Sequence, residues 1–260
     1  MRITTKVYPQ ETHLSITPER NGVLHHGRKK GVISNERSQQ SISRTKSIAI
    51  DYVKCNEFDY SFTLTFSPQK VTVSHQEDSI KSVIDWMKRL KQKNPALNWI
   101  IVPEVGASGK RLHLHGLLKG FPMEEMKLWK HRRGRRPAEF SSLQRQGYMV
   151  YTIPHLDKKY GYCFVTPLTS ANITTANING EESQMRWARY ICKGLEDTSK
   201  VRPTGSRMIY TSQGLERPRI VEQSSISVED EKKIAALASR AYYHRNTTTG
   251  GICGKTYIIE

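Results

Sequence analysis

The chain has 260 residues, with 41 Lys and Arg against 24 Asp and Glu and a formal net charge of +17 at pH 7. This excess predicts a polyanionic partner, and it favours nucleic acid over a membrane surface. No window of about 18 apolar residues occurs, so the sequence predicts no membrane-spanning helix. The length allows one large domain or two small ones.

The first residues and the cysteines indicate the compartment. The opening Met-Arg-Ile-Thr-Thr-Lys lacks the apolar region of a secretion signal. The four cysteines, at positions 55, 163, 192 and 253, form no Cys-x-x-Cys pair, so neither a zinc ribbon nor a disulfide framework is implied. We therefore expect a cytoplasmic protein.

The first elements in chain order are an arm, a strand and a helix. Residues 1–45 are polar with little periodicity, and we interpret them as a basic, mobile N-terminal arm. Residues 60–67 alternate polar and apolar side chains up to Pro68, which predicts a half-buried strand. Apolar residues at helical spacing over 80–90 then predict a helix, which Asn94-Pro95 ends.

A β-hairpin is predicted next. Residues 98–105 and 111–118 are apolar runs separated by Gly106-Ala107-Ser108-Gly109, a pattern typical of two strands and their turn. Alternation along the second strand places His113 and His115 on one face. If the turn centres on Ser108-Gly109, Glu104 lies directly opposite His113, with Cβ atoms about 4.5–5.5 Å apart.

Two imidazoles and a carboxylate on one strand face are a candidate metal site. Glu104, His113 and His115 are therefore the predicted ligands of a divalent ion. The alternative is that these histidines are polar surface residues. A slip of one residue in the turn would also remove Glu104 from their face.

Residues 121–182 have the composition of an insertion. Within it, 148–165 is aromatic-rich and can add strands, and 169–180 is rich in Ser, Thr, Asn and Gly, as in a loop. A dense basic loop carries four candidate DNA-binding residues, Arg132, Arg133, Arg135 and Arg136. The alternative is that the loop is a solvated surface segment.

A second candidate site lies on a helix predicted over 182–195. Tyr190 and Lys193 are three residues apart, hence neighbours on the helix surface, and both lie off its apolar stripe. A phenol becomes a useful nucleophile when a nearby cation or a metal-polarised target favours its anion. The alternative is an amphipathic tyrosine beside a solvated lysine.

The C-terminal part is predicted to contain one helix and a polar tail. Ser227 caps a helix that runs from Val228 to about Tyr243. Residues 250–256 resemble a phosphate loop, but Thr249 replaces its first glycine and only four residues follow Thr256. We therefore expect no nucleotide cofactor.

Taken together, these motifs resemble those of the HUH endonucleases, and within them the single-tyrosine rolling-circle replication initiators (Rep proteins) of phages and plasmids. Four segments over roughly 45–220 carry the resemblance: Phe62-Thr63-Leu64-Thr65-Phe66; Pro103-Glu104 with His113-Leu114-His115-Gly116; Tyr190-Ile191-Cys192-Lys193; and residues 210–218.

The resemblance implies an α+β fold with a central antiparallel sheet flanked by helices. The endonuclease domain would span 46–225, with 121–182 inserted, between the arm at 1–45 and a C-terminal helix and tail at 226–260. Tyr190 would attack a phosphodiester of single-stranded or supercoiled origin DNA, giving a 5′-phosphotyrosine and a free 3′-hydroxyl, and the strand would later be rejoined. Lys193 would position the phosphate, and Mg²⁺ or Mn²⁺ would bind Glu104, His113 and His115.

The resemblance also implies partners. Without a nucleotide motor, the protein would use a host helicase and polymerase, in the cytoplasm of a bacterial host. Two alternatives remain open at this stage. One is an HUH transposase or relaxase, and the other is a basic nucleic-acid-binding protein without catalysis, whose histidines are structural.

Overall fold

The structure is a computed structural model that describes residues 2–17, 35–106, 111–129, 149–168, 183–203, 206–224, 227–245 and 252–260. The helices are α1 (Asn35–Cys55), α2 (Gln76–Lys93), α3 (Pro154–Lys159), α4 (Ser183–Ile191), α5 (Leu195–Val201) and α6 (Val228–Leu237). The strands are β1 (Arg2–Val7), β2 (Thr12–Thr17), β3 (Tyr60–Phe66), β4 (Asn98–Val105), β5 (Leu112–Lys119), β6 (Lys127–Leu128), β7 (Tyr151–Thr152), β8 (Gly161–Pro167), β9 (Tyr210–Thr211), β10 (Arg219–Ser224), β11 (Arg240–Arg245) and β12 (Ile252–Ile259).

The strands form two antiparallel sheets, one in each of two compact units. The larger unit (34–215) holds a seven-stranded sheet in the order β6-β7-β8-β3-β5-β4-β9. The smaller unit (1–33 with 216–260) holds a five-stranded sheet in the order β10-β1-β2-β12-β11. The predicted α+β class with an antiparallel sheet and flanking helices is confirmed, whereas the second sheet was not predicted.

Helices cover both faces of the seven-stranded sheet at β4 and β5. On one face, Leu112 and Leu114 share a core with the buried stripe of α2, which consists of Ile80, Val83, Ile84, Met87 and Leu90. This is the stripe that the helical spacing predicts. On the other face, Leu117 packs with Tyr52 of α1 and Ala188 of α4. The odd-numbered residues of β5, including both histidines, therefore face α1 and α4.

The segment 121–182 contributes to this sheet. Strand β8 pairs along the whole of β3, so β3 lies between β8 and β5. The partner strands are about a hundred residues apart in sequence, and local composition carries no signal of such pairing. The predicted basic loop with Arg132, Arg133, Arg135 and Arg136, and the predicted loop at 169–180, lie outside the described residues.

The smaller unit differs from the prediction at both ends of the chain. Residues 2–7 and 12–17, within the stretch interpreted as a mobile arm, are strands that pair with each other and with β10 and β12. Burial of Ile3, Ile16 and Tyr257 in a shared core explains why this polar segment is ordered. Pairing with partners over 200 residues away leaves no local periodicity by which to predict it.

The last helix begins where predicted and ends earlier. Ser227 and Asp230 form a capping box at the start of α6. The helix ends at Leu237 rather than near Tyr243, because 240–245 pairs with β12 as strand β11. Lys255 and Thr256, from the rejected phosphate loop, lie within β12. Across the described parts of the chain, no helix is both long and apolar enough to cross a membrane.

Candidate active site

The site is built on the hairpin of β4 and β5. Its register pairs Glu104 with His113 and Val102 with His115, so the expected position of Glu104 opposite His113 is observed. The turn residues Ser108 and Gly109, from which that register was argued, lie outside the described residues. The two imidazole rings are nearly parallel, with centroids 5.9 Å apart. Both histidines and Glu104 therefore lie on the same face of the sheet.

Two threonines of β3 hold the outer nitrogens of these imidazoles. Oγ1 of Thr63 is hydrogen-bonded to Nδ1 of His115 at 3.0 Å, and Oγ1 of Thr65 to Nδ1 of His113 at 2.9 Å. The cross-strand register matches these pairs one to one. The hydroxyls fix both ring orientations and leave each Nε2 turned away from β3. Sequence reasoning gave these threonines no role, although their alternation in β3 places them on one face.

Glu104 contacts the histidine pair directly. Nε2 of His115 lies 2.9 Å from Oε2 of Glu104 and donates a hydrogen bond to it. The pKa of Glu104 is lowered, mainly by this hydrogen bond, with contributions from the charges of His115, His113 and Lys193, and partial burial opposes the shift. Glu104 is therefore an anion at neutral pH. Since Nε2 of His115 donates here, Thr63 donates to Nδ1 whenever that imidazole is neutral.

His113 is neutral at neutral pH. Burial lowers its pKa to about 4, the positive neighbours His115 and Arg111 lower it further, and Glu104 acts in the opposite direction. A neutral imidazole is the form that binds metal ions. Gly106 provides space for this ring, because a Cβ atom at position 106 would lie 3.0 Å from Nε2 of His113.

Tyr190 lies beside the histidine pair. Its ring meets that of His115 edge-on, with centroids 5.6 Å apart and an interplanar angle of 82°. Half of the Tyr190 surface remains exposed. The residue comes from α4, which packs over β5 in the larger unit. The phenol is therefore both next to the candidate metal ligands and accessible from solvent.

Lys193 follows in a turn, not in the helix. The predicted end of this helix at Leu195 is wrong, because α4 ends at Ile191 and α5 begins at Leu195. The backbone N–H of Lys193 donates to the carbonyl oxygen of Tyr190 at 3.0 Å, so the two residues remain one turn apart. Lys193 is exposed, and its charge contributes to the low pKa of Glu104.

Trp187 is a site residue that sequence reasoning missed. Its indole stacks on the Tyr190 ring with centroids 5.0 Å apart and 25° between the planes. Its Nε1–H donates to the carbonyl oxygen of Gly116 at 2.8 Å, which attaches α4 to the strand of the histidines. The spacing of three residues between Trp187 and Tyr190 was the available signal.

Gly194 provides the other contact between the tyrosine segment and the hairpin. A Cβ atom at this position would lie 2.5 Å from Oε1 and 2.6 Å from Cγ of Glu104, so the carboxylate packs directly on the Gly194 backbone. Just beyond, the backbone N–H of Val105 donates to Oγ1 of the buried Thr198 in α5 at 2.9 Å. The turn that carries Lys193 is thereby fixed against the end of β4.

The side chains fit a divalent cation by their chemistry. Two imidazoles with Nδ1 already hydrogen-bonded, and one ionised carboxylate, form a donor set with an ordered outer layer of the kind that metal ligands have. In their present arrangement, no three His, Cys, Asp or Glu side chains among the described residues are grouped to hold an ion. Nε2 of His115 and Oε2 of Glu104 instead satisfy each other. A cation would replace that hydrogen bond.

The structure brings together five of the nine residues selected from the sequence. Glu104, His113, His115, Tyr190 and Lys193 lie at one end of the β4–β5 hairpin and on the segment that packs against it. The four arginines of the basic loop lie outside the described residues, and their assignment to DNA binding stays a prediction.

Comparison with known proteins gives one family. The family model for the replication-associated proteins of the ORF2 type matches residues 59–195, which is more than half of the 260 residues. The matched range contains the strand of Thr63 and Thr65, the histidine hairpin, Tyr190 and Lys193. No curated protein and no solved structure matches the chain.

Proposed function

Because the chain belongs to this family of replication-associated proteins, we propose that it initiates rolling-circle DNA replication by nicking one strand of origin DNA. Tyr190 is the proposed nucleophile. Glu104, His113 and His115 are the proposed metal ligands, and Lys193 is the proposed phosphate-positioning residue.

The position of Tyr190 beside His115 carries this proposal. Their ring centroids are 5.6 Å apart, and the same His115 is hydrogen-bonded to Glu104. A phosphodiester bound at the histidines would therefore lie within reach of the phenol oxygen. A purely structural histidine pair does not require a half-exposed tyrosine and an exposed lysine beside it.

The proposed reaction exchanges one phosphate ester for another. Oη of Tyr190 attacks the scissile phosphorus, the P–O3′ bond breaks, and a 5′-phosphotyrosine forms. The phenol loses its proton and the leaving 3′ oxygen gains one, so no net proton or electron is consumed. The 3′-hydroxyl primes synthesis, and its return attack on the phosphotyrosine rejoins a strand. No external energy source is needed, because the covalent bond retains the energy of the broken ester.

The chain's own residues divide the remaining work. When bound by Glu104, His113 and His115, Mg²⁺ or Mn²⁺ would supply Lewis-acid stabilisation of charge on the phosphate oxygens. Imidazole nitrogens suit Mn²⁺ better than Mg²⁺, which prefers oxygen ligands. Lys193 adds a positive charge one turn from Tyr190 that favours the phenolate and pairs with a phosphate oxygen. Trp187 holds the Tyr190 ring against His115.

The proposed partners follow from this role. The substrate is single-stranded or supercoiled origin DNA, and the net charge of +17 supports affinity for it. A host helicase would open the duplex and a host polymerase would extend the 3′-hydroxyl, in the cytoplasm of the host cell.

A trapped covalent adduct tests the proposal. We expect wild-type protein, incubated with Mn²⁺ and labelled single strands that tile the encoding replicon, to form a denaturant-resistant adduct on one strand. Tyr190→Phe keeps the ring and its stacking but removes the attacking oxygen, so it should bind the same strand and form no adduct. Tyr162→Phe, at an exposed tyrosine of β8, is the matched control. Peptide mapping that finds DNA on any tyrosine other than Tyr190 would refute the assignment.

Removal of the metal ligands tests the second part. His113→Ala combined with His115→Ala should abolish the adduct and largely spare DNA binding, because affinity comes mainly from the basic surface. Excess EDTA should do the same to the wild type, and Mn²⁺ should restore activity. Full adduct formation in excess EDTA would exclude the metal role.

A further inference from the structure

A groove beside Tyr190 is not used by the reaction just proposed. It lies between α1 and the α4 segment of the larger unit, which pack against each other. Its lining residues are Lys46, Ile50, Arg189, Tyr190, Cys192 and Lys193. It encloses about 430 Å³ of free space, within the range of roughly 300–1,000 Å³ that small-molecule sites occupy. A nucleotide-sized group can therefore enter it.

The groove has an apolar floor and a basic rim. Ile50 is half-buried and Cys192 is buried, whereas Lys46, Arg189 and Lys193 are exposed. The cations come from two elements that are far apart in sequence, so the fold gathers them here. Among the described residues that line the groove, none is acidic. The groove thus combines positive charge with a surface suited to a sugar or a base.

The charge of Lys46 reaches the floor. Burial raises the pKa of the Cys192 thiol to about 11, and Lys46 is the group that acts against this shift. Lys46 therefore faces the same space as Cys192, although it is carried by a different helix.

We propose that this groove binds the backbone of single-stranded DNA adjacent to the scissile phosphodiester, with Lys46 and Arg189 as phosphate contacts. The inference rests on the proposed function and extends it by assigning a path to the strand. Because Tyr190 is itself part of the lining, a strand whose scissile phosphate meets the phenol continues directly into the groove. Proteins that hold single strands combine such basic tracks with apolar or aromatic surfaces in this way.

The matched control is another cation of α1. Arg44 precedes Lys46 by two residues, so it lies about 200° around the helix axis, and it is exposed outside the groove lining. Lys46→Gln and Arg44→Gln each remove one positive charge from one helix. Only the first removes it from the groove.

The experiment measures equilibrium binding in the Tyr190→Phe background, where no cleavage complicates the signal. Fluorescein-labelled oligo(dT) is titrated at several salt concentrations. Lys46→Gln should weaken binding several-fold at low salt and reduce the slope of log K against log salt by about 0.7, the value for one lost contact on a single strand. Arg44→Gln should leave the slope unchanged. Unaltered circular dichroism and thermal unfolding would show that both variants fold.

Three results would overturn the inference: an unchanged slope for Lys46→Gln, an equal loss for Arg44→Gln, or equally strong competition by polyglutamate, which would make the groove a general anion site. None depends on the tyrosine reaction. If wild-type protein forms no adduct but Lys46→Gln lowers the slope, the nicking proposal falls and the groove stands. If the adduct forms and the slope is unaltered, the groove falls and nicking stands.

Discussion

The carboxylate of Glu104 packs on the bare backbone of Gly194, with no space between them for a side chain. A Cβ atom at position 194 would come within 2.7 Å of three atoms of Glu104, Oε1, Cγ and Cδ. Gly194 adjoins Lys193 in the turn that follows the helix of Tyr190. A glycine in the tyrosine segment therefore sets the position of an acidic residue on the hairpin.

Gly194→Ala should displace Glu104 from its hydrogen bond with His115. Contacts below 3.0 Å with Cγ as well as Oε1 cannot be relieved by moving the carboxylate end alone. We expect Mn²⁺ affinity to fall by about 10–100-fold, the usual effect of disturbing the support of a ligand, with little change in DNA binding. Isothermal titration with Mn²⁺ measures this. In a Glu104→Ala background the Gly194→Ala change should have no further effect, and an equal loss in both backgrounds would contradict the steric explanation.

Thr63→Val and Thr65→Val should also weaken metal binding. Valine has the shape of threonine and suits a strand, so each change removes a hydroxyl from an imidazole Nδ1 and little else. We expect each variant to lose about tenfold or more in Mn²⁺ affinity and the double variant to lose more. Ser61→Ala is the control, since Ser61 lies on the same face of β3 but donates to the carbonyl oxygen of Thr166. Equal losses in all three variants would show that the strand, not the hydroxyls, is responsible.

The hairpin could be predicted from the sequence because its contacts are local. Glu104 and His113 are joined by one short turn, so alternation and a turn position suffice to place them opposite each other. The buried stripe of α2 is local in the same sense, and it was predicted residue by residue. Tyr190 and Lys193 also remain neighbours, although a turn rather than a helix connects them.

The other parts of the site depend on pairings that the sequence does not specify locally. The hydroxyls of Thr63 and Thr65 meet imidazoles 52 and 48 residues away, and only the β3–β5 register selects those partners. The role of Gly194 requires knowing which side chain passes beneath it. The strands β1 and β2 depend in the same way on β10 and β12, which lie at the other end of the chain.

Trp187 should affect the rate of adduct formation more than DNA affinity. Trp187→Leu removes the ring stacked on Tyr190 and leaves the carbonyl oxygen of Gly116 without its donor. An aromatic pair contributes about 0.5–1.5 kcal/mol, so we expect the single-turnover rate to fall by up to roughly tenfold. Trp187→Phe retains a ring for stacking and should recover part of the loss. Trp86→Phe, in α2 on the opposite face of the sheet, is the control and should leave the rate unchanged.

The buried His113 should make the metal-free protein less stable in mild acid. Its pKa is about 4 in the folded state and 6.5 as a free side chain, so between these values the unfolded chain binds a proton that the folded chain does not. The stability contributed by His113 is thus fully present above pH 6.5 and is lost as the pH falls through 4. The whole shift corresponds to about 3 kcal/mol, and solvent screening at this partly buried ring reduces the expected loss to roughly 1–2 kcal/mol. Urea unfolding in EDTA from pH 7 to 4 measures it. His113→Gln should flatten this dependence, and His75→Gln, at an exposed histidine, should not. If wild type and His113→Gln lose stability in parallel, His113 is not the group that titrates.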